Sequence, residues 1–261
     1  MPGKNLREIG GVSLLARAVR SALASRSIDI VYVSTDDPAI AREALAHGAR
    51  VIDRPAQLAV DTSTPESALL HALDSIAITD GVPDVLVFLQ ATSPFIDPRD
   101  VSAAIRRVCT GDEDVVFSVR EASGLLWRAT PSGARGVGHD GLFRPEPSER
   151  EPYYEETGAF YVMRTRGFRA ARSRIFGRMG MAVVDGRRSI EIDNTGDLAF
   201  AEAIAPVLDR IALDRAPAEK AAFDKTTHTS APLGRPLPGT PGLGVVASAA
   251  ADRPGYSVGA R

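Results

Sequence analysis

Short β-rich runs alternate with helical patterns of about ten residues along the first 120 positions, and few architectures accept that rhythm. Leu14, Leu15, Ala18, Val19, Ala22 and Leu23 recur at helical spacing behind Ser13, a suitable cap. A β-rich run at 28–33 follows and ends in Ser34-Thr35-Asp36-Asp37. Helix 38–47 stops at Gly48, a short strand starts at Val51-Ile52, and Thr64-Pro65 opens a helix that reaches 76. The continuous apolar run 84–89 reads as a strand buried on both faces, with helix 98–109 and strand 114–119 after it. Strands separated by helices imply a mostly parallel sheet flanked by helices, an α/β fold. Beyond Val119 the pattern loosens, so 120–156 is expected to form an extended arm or a small antiparallel layer. Strands are expected at 158–163, 181–184 and 189–192, and a helix at 196–213. From 214 to 261 Pro, Gly, Ala, Ser and Thr dominate without an apolar period. The folded unit is therefore expected to span 1–213, with an unstructured tail.

Composition removes whole classes of function. The 31 basic and 33 acidic side chains give a formal net charge of −2, which supplies no broad field for nucleic acid or an anionic membrane. No stretch approaches the ~20 apolar residues of a membrane helix, and the N-terminus lacks a secretory pattern. The expected setting is the cytoplasm. Cys109 is the single cysteine, so no intrachain disulfide exists, and its place in the apolar pattern of helix 98–109 reads as packing rather than nucleophilic chemistry. His47, His71, His139 and His228 are scattered, leaving a zinc site without ligand spacing. There is no G-x-S-x-G and no complete Walker or dinucleotide glycine pattern.

Polar clusters stand at the expected carboxyl ends of the strands, where open parallel sheets bind ligands. They are Ser34-Thr35-Asp36, Arg54-Pro55, Gln90-Ala91-Thr92-Ser93-Pro94 and Glu191-Ile192-Asp193. Alternation along an extended segment turns both carboxylates of the last cluster one way and Ile192 towards the core. Such a pair suits a hard divalent ion, most simply magnesium carried with a triphosphate. The competing reading is a solvated turn in which Asp193, Asn194 or Thr195 caps the following helix. Lys4 and Asn5 after Gly3 could meet phosphate, or simply form a charged terminus. Arg54 suits phosphate, a base edge or plain surface; Gln90 and Thr92 suit a polar substrate or their own loop.

Taken in order, these residues resemble a known family. Pro2-Gly3-Lys4-Asn5, Val33-Ser34-Thr35-Asp36, Gly48-Ala49, Arg54-Pro55, Leu58-Ala59, Asp61-Thr62, Gln90-Ala91-Thr92-Ser93-Pro94, Gly158-Ala159-Phe160-Tyr161 and Ile190-Glu191-Ile192-Asp193 resemble the motifs of the acylneuraminate cytidylyltransferases (CMP-sialic acid synthetases). The resemblance runs from residue 2 to about 210. It implies a nucleotidyltransferase domain of the Rossmann-like, nucleotide-diphospho-sugar transferase fold. The implied reaction carries CMP from CTP to a nonulosonic acid with release of pyrophosphate. By that resemblance Lys4 and Asp193 are catalytic. Lys4, Asn5, Arg54, Asp61 and Ser63 meet the nucleotide; Gln90, Thr92 and Tyr161 meet the sugar acid; and Glu191 with Asp193 holds Mg2+. A homodimer through the arm 120–156 is also implied, with Trp127, Phe143, Tyr153 and Tyr154 as anchors. The 3-deoxy-manno-octulosonate branch is less similar at Asp61-Thr62-Ser63 and at the Gln90 loop, but it stays open, as does a non-catalytic remnant.

Three departures accompany the resemblance. Glu191 stands where an aspartate is usual, and Thr157 where an asparagine is usual. The apolar strand and Arg-x-x-Ser-Lys-Gly loop expected ahead of Pro2-Gly3-Lys4-Asn5 are absent there. The expectation is that both lie upstream of Met1, and that without them the strand 84–89, with Val85, Val87 and Leu89, is left with an open edge.

Overall fold

The computed structural model describes residues 1, 3–58, 64–139, 146, 150–214 and 243–248. A 3-10 turn at Lys4–Leu6 leads into a hairpin of β1 (Glu8–Ile9) and β2 (Val12–Ser13), then α1 (Leu14–Ala24). Ser13 caps α1 by accepting the Ala16 N–H at 3.0 Å. There follow β3 (Ile30–Thr35), α2 (Pro38–Ala46), β4 (Arg50–Asp53), α3 (Pro65–Thr79), β5 (Val85–Gln90) and α4 (Pro98–Thr110). The chain continues through β6 (Val115–Ala122), the hairpin β7 (Trp127–Thr130) and β8 (Gly133–Gly136), the long β9 (Tyr153–Arg164) and α5 (Thr165–Ala171). β10 (Met179–Val183), α6 (Thr195–Asp214) and β11 (Leu243–Ser248) complete it.

Seven strands form one sheet in the order β10-β6-β9-β5-β11-β3-β4. Four of its six pairings are parallel, and β9 runs antiparallel to both β5 and β6. Apolar side chains of α1, α2 and α4 pack on one face around Val31, Val33, Val85, Val87 and Leu89. On the other face α3 and α5 cover Tyr32, Leu86, Phe88, Tyr161 and Met163. A strand covered on both sides gains nothing from polar alternation, which is why β5 reads as an unbroken apolar run. α4 shows the opposite pattern: Val101, Ala104, Ile105 and Val108 are buried along one stripe, and each fully buried Val or Ile contributes roughly 1.5–3 kcal/mol.

Four expectations change. The segment 214–261 is not wholly without structure, because Leu243–Ser248 is a strand paired in parallel with both β3 and β5. Six residues are too few to alter the composition of a long Pro- and Gly-rich stretch, so that average conceals a short apolar run. The expected open edge of β5 is consequently filled by β11. The expected strand 189–192 is an extended connection instead, preceded by a 3-10 turn at Gly186–Arg188. Cys109 lies on the exposed side of α4 rather than in the core. The arm keeps its hairpin β7–β8, with Trp127 edge-on to His139 at 5.0 Å, while Phe143 lies outside the described residues. No described helix is long and apolar enough to cross a membrane.

Candidate active site

The rim at the carboxyl ends of the parallel strands begins with a row of aligned backbone positions. Ser34 of β3, Ser248 of β11 and Gln90 of β5 stand in register side by side. At one side of the row Arg54 is buried, donating through Nε to Ser34 Oγ at 3.2 Å and through Nη2 to the Ser34 carbonyl at 2.5 Å. Burial pulls the Arg54 guanidinium below its ordinary value and Asp36 opposes that pull. Arg54 is therefore neither a surface arginine nor a loose arm; it is built into the joint between β3 and β4. On the other side Gln90 Oε1 accepts from Thr92 Oγ1 at 3.4 Å. Gly158, with φ +69°, passes so closely that an added Cβ would lie 3.4 Å from Gln90 Nε2. A backbone with φ in the left-handed region needs glycine here.

Glu191, Ile192 and Asp193 run along the same rim. The Ile192 N–H donates to the Thr92 carbonyl at 2.9 Å, tying this connection to the Gln90 loop. Ile192 is fully buried among Ile9, Leu14, Phe95, Ala201, Ala205 and Leu208, so its two neighbours are turned outward together. The alternation expected from the sequence holds although the segment is no strand. Lys4 closes the group: its Nζ lies 3.4 Å from Asp193 Oδ1 and 3.5 Å from the Ile192 carbonyl. It is brought there because α6 grips the N-terminal hairpin. Arg17 reaches Asp209 at 2.8 Å and the Ile9 carbonyl, and the Gly10 N–H donates to Glu202 at 3.1 Å. Burial and the neighbouring Asp193 push the Glu191 carboxyl above its usual value, while Lys4 and Thr92 pull it back. Two carboxylates that repel beside one lysine form a place where a further cation is welcome.

The capping alternative is decided by geometry. Asn194 Oδ1 accepts the N–H groups of Gly196 at 2.8 Å and Asp197 at 3.1 Å, so Asn194 is the cap of α6. Asp197 reaches back to the N–H groups of Asp193 and Asn194, both at 2.9 Å, and these bonds hold its carboxyl below the ordinary range. The Asp193 side chain is left facing Lys4. An Asn three residues before an Asp is a readable capping-box signal, and it singles out Asn194 from Asp193 and Thr195.

The remaining expected residues divide. Asn5 is buried beside Lys4 in the 3-10 turn. Asp61 and Ser63 lie outside the described residues. Tyr161 is a core residue: its ring stacks between Phe88 at 6.1 Å and Phe117 at 6.4 Å, and its hydroxyl donates to Glu156. Burial and Glu156 raise its pKa, and Glu191 adds to that from nearby. Two contacts carry no signal in the sequence. Arg174 lies over the Tyr161 ring at 4.6 Å while donating to Glu66 at 2.7 Å. Thr157, the replacement for the usual asparagine, donates to Ser118 Oγ at 2.7 Å and so joins β9 to β6 at a bulge. A cleft of about 490 Å³ lies away from all of these, at the arm, between Glu121, Leu126, His139 and Tyr153.

Comparison with known proteins bears on the family and the fold. Residues 1–134 match the family model described as cytidylyltransferase. N-acylneuraminate cytidylyltransferase A of Danio rerio is 29% identical over 165 residues, 62% of this chain and 37% of that protein. The CMP-N,N'-diacetyllegionaminic acid synthase of Legionella pneumophila is 32% identical over 172 residues, covering 62% of this chain and 71% of that protein. A 3-deoxy-manno-octulosonate cytidylyltransferase of Anaeromyxobacter dehalogenans is 32% identical over 127 residues, 49% of each chain. The chain thus spans little more than a third of the length of the fish enzyme. Among solved structures, a CMP:2-keto-3-deoxy-manno-octonic acid synthetase complexed with CTP superposes with a TM-score of 0.57 at 19% identity, over 79% of this chain and 92% of that one. The 4-diphosphocytidyl-2C-methyl-D-erythritol synthase of Anaerococcus prevotii gives 0.57 at 13% identity, over 78% and 92%. At those identities the structures speak for the fold, the sheet and helices of a nucleotidyltransferase. With the family model spanning half of its length, and with the rim residues Lys4, Gln90, Thr92, Glu191 and Asp193 gathered on that fold, the chain belongs to the cytidylyltransferase family.

Proposed function

We propose that this chain transfers CMP from CTP to a nonulosonic acid, forming the CMP-sugar and releasing pyrophosphate. The observation that carries the reading is the convergence of Lys4 with Glu191 and Asp193 beside the Gln90–Thr92 loop. In the reaction an oxygen of the sugar acid attacks the α-phosphorus, the bond to the β-phosphate oxygen breaks, and the hydroxyl proton is lost. The work of the protein in such a transfer is positioning and neutralisation of charge. Lys4 offers a mobile cation to the phosphates, held in place by Asp193 until the nucleotide arrives. Gln90 and Thr92 offer hydrogen bonds to the sugar acid, and glycine at 158 leaves room beside the Gln90 side chain. The buried Arg54 holds the β3–β4 corner on the nucleotide side. The Tyr161 ring supports the sugar side from below through its stack, and its hydroxyl edge faces Glu156.

Glu191 and Asp193 fit magnesium of the kind that arrives with a triphosphate. Their mutual repulsion calls for a cation, and no group of three or more acidic, His or Cys ligands occurs among the described residues to build a cage from protein alone. Bound there, magnesium would neutralise the phosphates. Matching identity to the octulosonate branch keeps that sugar acid as a second reading. The test is pyrophosphate release from CTP and magnesium with N-acetylneuraminic, diacetyllegionaminic or 3-deoxy-manno-octulosonic acid. Turnover with either of the first two supports the reading, and turnover with the last alone moves the chain to the other branch. No release with any of them refutes cytidylyl transfer to these sugar acids.

A further inference from the structure

The Tyr161 ring is only 3% exposed, and what covers it is a charge. The Arg174 guanidinium lies over that ring at 4.6 Å and over the Phe88 ring at 5.7 Å. A ligand that approaches this face of the sheet meets Arg174 before it meets Tyr161. Three observations put the guanidinium beside the candidate rim. Tyr161 is level with Phe88, two positions short of Gln90 along β5. Its hydroxyl donates to Glu156, and because β9 runs antiparallel to β5, Glu156 lies on the rim side of it; the charge of Glu191 is felt there as well. Arg174 donates through Nε to Glu66 at 2.7 Å, and Glu66 stands in the first turn of α3, the end of that helix which follows the carboxyl end of β4.

The bond to Glu66 takes up Nε. Among the described residues neither Nη1 nor Nη2 of Arg174 meets an acceptor, and neither is buried. That remaining edge presents two parallel N–H groups, which match the two oxygens of a carboxylate. Held by Glu66 and resting on two rings, the fork is ordered before a ligand arrives, so little entropy is lost on binding. Glu156, on the same face, is taken up by the Tyr161 hydroxyl. The other cations of the rim have other places: Lys4 stands against Asp193, and Arg54 is buried with two donors on Ser34. The carboxylate is the one fixed charge of a nonulosonic or octulosonic acid. We propose that Arg174 binds the carboxylate of the sugar acid, and that Glu66 positions it. The ligand's identity rests on the cytidylyl-transfer reading; a preference for a carboxylate at this place does not.

The experiment uses the whole 261-residue chain and the variants Arg174→Gln, Arg174→Lys and Glu66→Gln. Calorimetry, with CTP present and magnesium omitted, compares N-acetylneuraminic and 3-deoxy-manno-octulosonic acids with their methyl esters, which lack the charge. The unaltered chain should bind whichever acid it takes at least about tenfold more tightly than the ester. Arg174→Gln should lose that preference by weakening the acid alone, with CTP affinity unchanged. Arg174→Lys, which keeps the charge without the fork, should fall between and carries the test if Arg174→Gln does not fold. Glu66→Gln breaks the same ion pair but should still prefer the acid. A preference in Arg174→Gln within a factor of about two of the unaltered chain would overturn the inference. So would equal affinity of the unaltered chain for acid and ester, or a loss in Glu66→Gln as complete as in Arg174→Gln, which would leave the ion pair as a brace only. Pyrophosphate release is measured alongside. Arg174-dependent preference without turnover leaves the inference standing and fails the activity reading, turnover with an unaltered preference in Arg174→Gln fails the inference alone, and no binding of either acid overturns both.

Discussion

Removing the charge of Asp100 should stabilise this protein above neutral pH and leave it unchanged in acid. Asp100 lies in the first turn of α4, behind its cap Asp97, which accepts the Arg99 N–H at 2.9 Å. Burial is the largest influence on its carboxyl and Asp97 the next, and together with Asp185 they push it from the ordinary 3.8 up to about 6 against the pull of Arg99 and Arg188. An acid whose pKa is higher in the folded chain binds its proton more tightly there. Its contribution is fully present below the unfolded value, fades as pH rises to about 6, and is constant beyond. The displacement corresponds to about 3 kcal/mol as a ceiling. Relaxation of a site that is not fully enclosed, together with the favourable dipole at the start of α4, reduces this to about 1–2 kcal/mol. Asp100→Asn keeps the shape and removes the charge. At pH 8 the melting temperature of the variant should exceed that of the unaltered chain by about 2–6 °C, given the usual conversion for a domain of this size. At pH 4, close to the unfolded value of 3.8, the difference should fall to less than half of that, and it should vanish only at lower pH. Thermal melts of both proteins from pH 4 to 8 measure it, and taking the difference at each pH cancels every other titrating group. A pH-independent difference, or a variant less stable at pH 8, would refute the reasoning.

Four further outcomes are expected. Gly158→Ala, which places a Cβ on a backbone at φ +69° and 3.4 Å from Gln90 Nε2, should cost about 1–2 kcal/mol in a denaturant titration and raise KM for the sugar acid more than KM for CTP; an unchanged KM for the acid would separate Gln90 from the substrate. Asp193→Asn should reduce magnesium-dependent pyrophosphate release by roughly a hundredfold or more while the melting temperature stays within about a degree, because the Asp193 side chain is exposed and Asn194 caps α6. Glu191→Asp should retain activity, and normal turnover of Asp193→Asn would remove the metal role. Sedimentation at micromolar concentration should show a dimer that dissociates on Trp127→Arg, since this large apolar side chain is nearly half exposed on the arm; a monomer in the unaltered chain would count against the arm as an interface.

What the residues disclosed in advance follows from how local the cause is. β3, β5, α1 and α4 are legible because a doubly covered strand and an amphipathic helix are written in consecutive positions, and α1 has a readable cap at Ser13. Glu191 and Asp193 were legible as a pair because alternation about a buried Ile192 needs no sheet. The antiparallel direction of β9 was hidden, since one strand carries no mark of its neighbours' sense. So was the burial of Arg54, which depends on Ser34 twenty positions earlier. Tyr161 matched a motif and was read as facing the substrate, whereas the stack with Phe88 and Phe117 is formed only once three strands align. The hardest case is β11, six residues hidden within a Pro- and Gly-rich stretch, and only the pairing with β3 and β5 shows what they do there.

The position of β11 also has a bearing on how the chain is made. On one side of it lie β10, β6, β9 and β5, on the other β3 and β4, and among the described residues no hydrogen-bonded ladder joins the two groups except through β11. All six of those strands leave the ribosome before residue 243 is added. Until then β3 and β5 present facing, unpaired ladders, held near each other by α1 packed against residues of both. Parallel pairing between positions so distant in the chain closes slowly. Among the described strands the central place is thus the last to be filled in chain order, and the edges flanking it are the ones open to pairing with another chain until then.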